Sequence, residues 1–112
     1  MATTFVHEGA AIDYTPGGDT PAGTVVVQGE LVGVTRVDLK AGQLGVLAVQ
    51  GVFDFPKALG AGSAIPVGTN AHWDAAAKNA TKNAAAGANK LIGKAVKSTV
   101  DADTTVRIRL SQ

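Results

Sequence analysis

Thr104-Thr105-Val106-Arg107-Ile108-Arg109-Leu110 is the stretch that decides the fold class of this chain. Val106, Ile108 and Leu110 fall on one face of an extended segment and Arg107 and Arg109 on the other, because successive strand side chains point to opposite sides. A turn at Asp101-Ala102-Asp103 precedes it, and before that Leu91-Ile92-Gly93-Lys94-Ala95-Val96 carries a second strand signal. Further back, Thr24 to Val27, Leu31 to Leu39 and Gln43 to Phe55 are apolar runs cut by Gly29 and by Lys40-Ala41-Gly42. Val37, Leu39 and Leu44 alternate with Asp38, Lys40 and Gln43, the pattern of a sheet with one wet face. Gly33, Gly45 and Gly51 inside these runs predict bulges or close backbone approach. Pro56 ends the strand before it, and Ile65-Pro66-Val67 is too short for a central strand. The number of strands and the density of turns predict a small single-domain all-β fold, a barrel or a sandwich.

Two segments depart from that rhythm. Residues 1–23 read as an extended N-terminal arm and a turn-rich hinge, with 24–112 as a β-barrel body. The arm holds the patches Phe5-Val6-His7 and Ala11-Ile12-Asp13-Tyr14, and the hinge is Pro16-Gly17-Gly18-Asp19-Thr20-Pro21-Ala22-Gly23. Prolines there fix φ and glycines permit positive φ. Such an arm docks on a sheet of its own subunit or of a neighbour. Ala75 to Asn89 is helical on propensity alone, yet it holds no large apolar side chain with which a helix could pack. Irregular or edge-strand structure is expected there.

Size and composition narrow the functional classes. A chain of 112 residues is one domain. Its five aromatic residues are Phe5, Tyr14, Phe53, Phe55 and Trp73, so the core is mainly aliphatic, and a thin core gains from oligomerisation. Ten basic and nine acidic side chains give a net charge of +1, with no clustered basic face of the kind nucleic acid requires. No nucleic-acid partner is expected. No apolar run approaches a membrane span, so no membrane partner is expected either. Met1 to Phe5 lacks the basic start and apolar core of a signal peptide. The expectation is a protein made in the cytoplasm. Without cysteine there is no disulfide framework.

Chemistry-bearing motifs are few. Five residues separate Gly87 from Gly93, and Ala95 stands where a P-loop needs a hydroxyl. His72 and Asp74 flank Trp73 on one strand face, either half of a metal site or a polar face beside a tryptophan. Asp101 and Asp103 read as an acidic turn, since an EF-hand needs a following glycine and a closing glutamate. Ser63, Ser98 and Ser111 lie outside any Gly-x-Ser-x-Gly elbow. No catalytic residue, metal or cofactor is assigned, and a protein that binds or braces, with no enzymatic role, is expected.

An ordered set of short motifs carries a family resemblance. Phe5-Val6-His7-Glu8-Gly9 with Ile12-Asp13-Tyr14 is followed by Pro21-Ala22-Gly23-Thr24-Val25-Val26 and by Gly42-x-x-Gly45-x-Leu47. Gly51-Val52-Phe53-Asp54-Phe55-Pro56-Lys57, Ala71-His72-Trp73-Asp74, Leu91 to Ala95 and Val106 to Leu110 complete it. In these the chain resembles the capsid cement or head-decoration proteins of tailed phages, some of which carry a label as predicted recombinases. The failed P-loop gives that label no support. The resemblance implies a structural virion protein on the outer surface of the capsid, assembled as a homotrimer. Its implied partner is the major capsid protein, whose subunits it bridges to stabilise the expanded head. Phe5, Val6, Ile12 and Tyr14 of the arm, with Phe53, Phe55 and Trp73 as anchors, are the expected capsid or oligomer interface; core packing is the competing reading of the last three. A small-ligand or glycan-binding β-barrel module on the virion surface is the alternative function.

Overall fold

A computed structural model describes residues 9–111, and these form two antiparallel sheets packed face to face. The smaller sheet has the order β1-β4-β3-β2, with β1 Ala11–Tyr14, β2 Val25–Gln28, β3 Leu31–Val34 and β4 Gly45–Ala48. The larger has the order β5-β9-β8-β6-β7, with β5 Gly51–Pro56, β6 Asn70–Asp74, β7 Asn79–Thr81, β8 Lys90–Ala95 and β9 Thr105–Leu110. Of the two architectures open to the sequence, the structure is the sandwich. The larger sheet curls until its edges touch at one parallel bridge, Lys57 to Ala80, where the Ala58 amide donates to the Ala80 carbonyl at 3.0 Å. The barrel stays open because β7 is three residues long and the chain leaves β5 for a loop directly after Lys57.

The alternation in β9 does what its sequence requires. Val106, Ile108 and Leu110 are buried and Thr105, Arg107 and Arg109 exposed. They join Val32, Val34, Phe55, Ile65, Ala71, Trp73, Ala80, Ile92 and Ala95 in a single core. Full burial of each large aliphatic side chain is worth roughly 1.5–3 kcal/mol. The hairpin β2–β3 turns on Gly29-Glu30, with Gly29 at φ 63° in the first central position, as a two-residue turn demands. Val25 pairs with Val34 and Val27 with Val32, and all four pack on the core.

β8 and β9 approach each other more closely than any side chain allows. A Cβ built on Gly93 would collide with the Arg109 carbonyl, so only glycine fits. One register position away β8 bulges opposite Ala71 and His72, and Ile92 in that bulge is fully buried. The stretch 75–89 contains the edge strand β7 and a 3-10 turn at Ala85–Gly87, with no α-helix. Asp74 closes the β6–β7 turn, its Oδ1 accepting from the Ala76 and Ala77 amides at 3.1 Å each.

The long apolar runs 31–39 and 43–55 are each broken once. Thr35 ends β3 by turning its hydroxyl into the backbone: Oγ1 accepts from the Thr24 amide at 2.9 Å and donates to the Pro21 carbonyl at 2.8 Å. Gly51, at φ 125°, lets the chain cross from one sheet to the other between β4 and β5. Beyond Thr35 the chain builds a small lobe. Strand β1 pairs with β4 over four residues, whereas β3 meets β4 in register only at Val34 and Ala48. The loops of the lobe are tied by reciprocal Thr20–Leu39 amide bonds of 2.8 Å and by Gly42 donating to the Pro16 carbonyl at 2.9 Å. Leu47 lies over Gly33 and Leu39 over Gly45, so both glycines are the close approaches expected of them.

Candidate functional site

Ile12 and Tyr14, half-buried on β1, face Leu47 and Gly45 across the β1–β4 pair. The β1 segment therefore docks on a sheet of its own chain, and its far side is the sheet's edge. An edge strand offers a row of backbone N–H and C=O groups on which a further strand can pair. Phe5 and Val6 lie outside the described residues.

The three remaining aromatics form a chain in the core. Phe53 and Phe55 meet edge to face with centroids 6.4 Å apart, and Phe55 and Trp73 lie 6.2 Å apart at 58°. Phe55 is 1% and Trp73 7% exposed, while Phe53 is half-buried at the core margin. The little of Trp73 that reaches the surface lines an apolar groove of about 490 Å³, together with Val25, Val27, Pro56, Ala75 and Lys78.

At one end of the larger sheet, the loops 57–69 and 96–104 are locked together by polar contacts that the sequence did not announce. Lys57 is 4% exposed, and its Nζ donates to the Ala58 carbonyl at 2.7 Å, Ser63 Oγ at 3.1 Å and the Asp101 carbonyl at 3.2 Å. Three donors meet three acceptors, which is what a buried ammonium needs. Asp101 reaches across the same gap, accepting from the Ala64 amide at 2.8 Å and the Gly62 amide at 3.3 Å. Those backbone donors hold its carboxyl below the ordinary aspartate range, with Lys57 adding a smaller electrostatic pull. Thr99 Oγ1 and Ser98 Oγ cap the Ile65 and Val67 amides at 3.0 and 2.8 Å. This lattice presents Leu59, Val67 and Val100 to solvent, each at least 60% exposed. Large side chains held wet on braced loops are suited to contact with a partner.

The metal readings find no support in geometry. His72 and Asp74 sit on β6, but Asp74 is engaged in its own turn, and Asp103 Oδ2 accepts from the Val100 amide at 2.9 Å. Among the described residues no group of three His, Asp or Glu side chains converges.

A family model described as phage cement protein matches residues 6–110. The chain belongs to that family. Its role is accordingly structural and its place is the phage capsid. No curated protein and no solved structure matches the chain. The cement family match takes in every strand of both sheets, from β1 to β9. Sequence reasoning missed Lys57 and the apolar loop end of this cement protein. The only signal was a lysine directly after a strand-ending proline, which ordinarily marks a solvated turn.

Proposed function

We propose that the protein binds the outside of the expanded phage head and stabilises it by bridging major capsid subunits. The observation that carries this reading is the family match over residues 6–110. A cement works mechanically: pulling two capsomers apart then requires breaking its contacts as well as theirs. Contacts of standard size bury on the order of 1,600 Å². A homotrimer engaging several subunits adds avidity, because later contacts form at raised effective concentration.

Two surfaces support the bridging role. The edge of β1 is suited to strand addition on a neighbouring sheet, and Phe5 and Val6, which precede it in the sequence, are proposed to join that contact. Leu59, Val67 and Val100 form the second, an apolar end whose loops are already braced. A braced loop loses little further entropy on binding. Phe53, Phe55 and Trp73 enter the proposal mainly as the core on which both surfaces are mounted.

The test is to delete residues 2–8, which leaves β1 in place, and to measure occupancy and heat resistance of expanded, decoration-free heads. Lower occupancy and earlier rupture are expected. Unchanged occupancy and head stability remove the arm from the mechanism. Light scattering of the free protein checks the trimer against the 11.2 kDa monomer mass.

A further inference from the structure

The outward face of the larger sheet carries an arrangement of charge that the fold does not need. Cross-strand pairing places Val52, Arg109, Lys94 and Asn70 in one row over β5, β9, β8 and β6. The next row pairs Asp54 with Arg107, and the Val96 amide donates to the Arg107 carbonyl at 2.9 Å. Lys97 follows directly after Val96 at the same end. Four cations thus crowd this end of the face, against Asp54 on β5, with Asp103 at the adjoining loop and Asp74 farther along β6.

These carboxylates are engaged elsewhere: Asp74 and Asp103 accept backbone amides of their own turns, and Asp54 is paired. Asp54 accepts from Arg107 Nε at 2.9 Å and from a terminal guanidinium nitrogen at 3.2 Å, a two-point pair. Lys94 Nζ donates to the neutral Asn70 Oδ1 at 3.0 Å. Among the described residues the only ion pairs are Arg107–Asp54 and Lys90–Glu30, so Arg109 and Lys94 form none there, while Lys97 pulls on Asp54 only from a distance. Arg109 and Lys94 are, moreover, direct cross-strand neighbours, and like charges at paired positions destabilise a sheet. The fold bears a repulsion that an anionic partner would relieve. Val52 and Val96, 55% and 42% exposed, flank these cations with apolar surface.

We propose that this face docks onto a carboxylate-rich protein surface of the capsid shell, with Arg109 and Lys94 as the principal contacts. The inference rests on the cement reading given above. Charge complementarity identifies the partner as acidic, and two features favour protein over nucleic acid. Asp54 stands among the cations, where it would repel a phosphate backbone, and the flanking valines match side-chain contacts in place of a continuous polyanion. Arg109, whose planar guanidinium suits bidentate carboxylate recognition, is the stronger contact of the two.

The experiment compares wild type, the Arg109→Glu/Lys94→Glu double variant and the single control Lys82→Glu for binding to expanded, decoration-free heads across a salt series. Wild-type affinity is expected to fall as salt rises, the double variant to bind at least tenfold more weakly with a flatter salt dependence, and Lys82→Glu to bind as wild type. Thermal melting checks that all three are folded; the Arg109→Gln/Lys94→Gln variant serves in place of the reversal if the latter melts early. Equal binding by wild type and the double variant overturns this inference while leaving the cement reading intact. Equal loss in Lys82→Glu also overturns it, since net charge alone then explains the effect. Wild type that leaves heads bare overturns both. Wild type that binds duplex DNA at the same salt as tightly as it binds heads replaces the acidic protein with nucleic acid and overturns the proposal.

Discussion

Ile108 and Leu47 are both fully buried aliphatic side chains, yet they sit in regions built differently. Ile108 belongs to a core fed by both sheets, where Phe55, Ile65, Ile92, Val106 and Leu110 are equally dry. Leu47 belongs to the lobe, whose buried hydrophobics are Leu39, Leu47, Ala48 and Pro16. The lobe leaves Val37, Leu44 and Val46 about half exposed or more, and the ladder that joins it to the sandwich is one residue pair long. Side-chain burial holds the first region. Backbone bonds and turn residues hold the second, and such regions open at lower free energy than the core around them.

The sharpest way to break the comparison is at the β8–β9 crossing. Gly93→Ala drives a methyl group into a backbone carbonyl that cannot yield, so a loss of about 3 kcal/mol or more is expected in urea unfolding. Next comes the matched pair of truncations. Ile108→Ala should cost about 2–5 kcal/mol of global stability. Leu47→Ala should instead speed amide exchange in residues 11–14 and 45–48 while β8 and β9 keep their protection. If both variants raise exchange everywhere, lobe and sandwich are one cooperative unit and the distinction fails.

A third test sharpens the comparison at the loop end of the sandwich. Lys57→Met keeps bulk but leaves three acceptors without their donor, and a buried orphaned polar group costs about 1–3 kcal/mol. Chemical denaturation of Lys57→Met against wild type measures it. The smallest effect is expected from acid. Asp101 and Asp54 both have carboxyls held below the ordinary range, the first by backbone amides and the second by Arg107. A depressed folded value means that their stabilisation is complete above the unfolded value near pH 4 and is lost as pH falls through the folded one. Melting temperature should therefore decline below about pH 4. Asp101→Asn should flatten that decline, because it removes the carboxyl that the Ala64 and Gly62 amides hold ionised.

Much of the sandwich was legible because its signal is local. The alternation of Val106 to Leu110 and the hairpin at Gly29 each follow from neighbouring residues. Close approach at Gly33 and Gly45 was readable too, because a glycine inside an apolar run has few other uses. Gly93 was harder, since nothing in Leu91-Ile92-Gly93-Lys94 shows that a carbonyl from 16 residues later occupies the missing side chain's place. The break at Thr35 was hidden for a similar reason: its hydroxyl finds partners at Pro21 and Thr24 only after the chain has folded back. The same holds for Lys57, whose partners lie as far away as Asp101. The aromatics were ambiguous because burial and contact demand the same side chains, and only the packed sheets place Phe55 and Trp73 inside.

Lys57 has one more consequence, for chemistry done on the protein from outside. Lys40, Lys78, Lys82, Lys94 and Lys97 are exposed and Lys90 is half-buried, while the Lys57 amine is enclosed by the groups it bonds. Brief acylation of the native protein will mark the six others first and spare this one. The mass of the peptide that carries Lys57 then becomes a clock for the opening of that end of the sandwich, readable on free protein and on assembled particles alike.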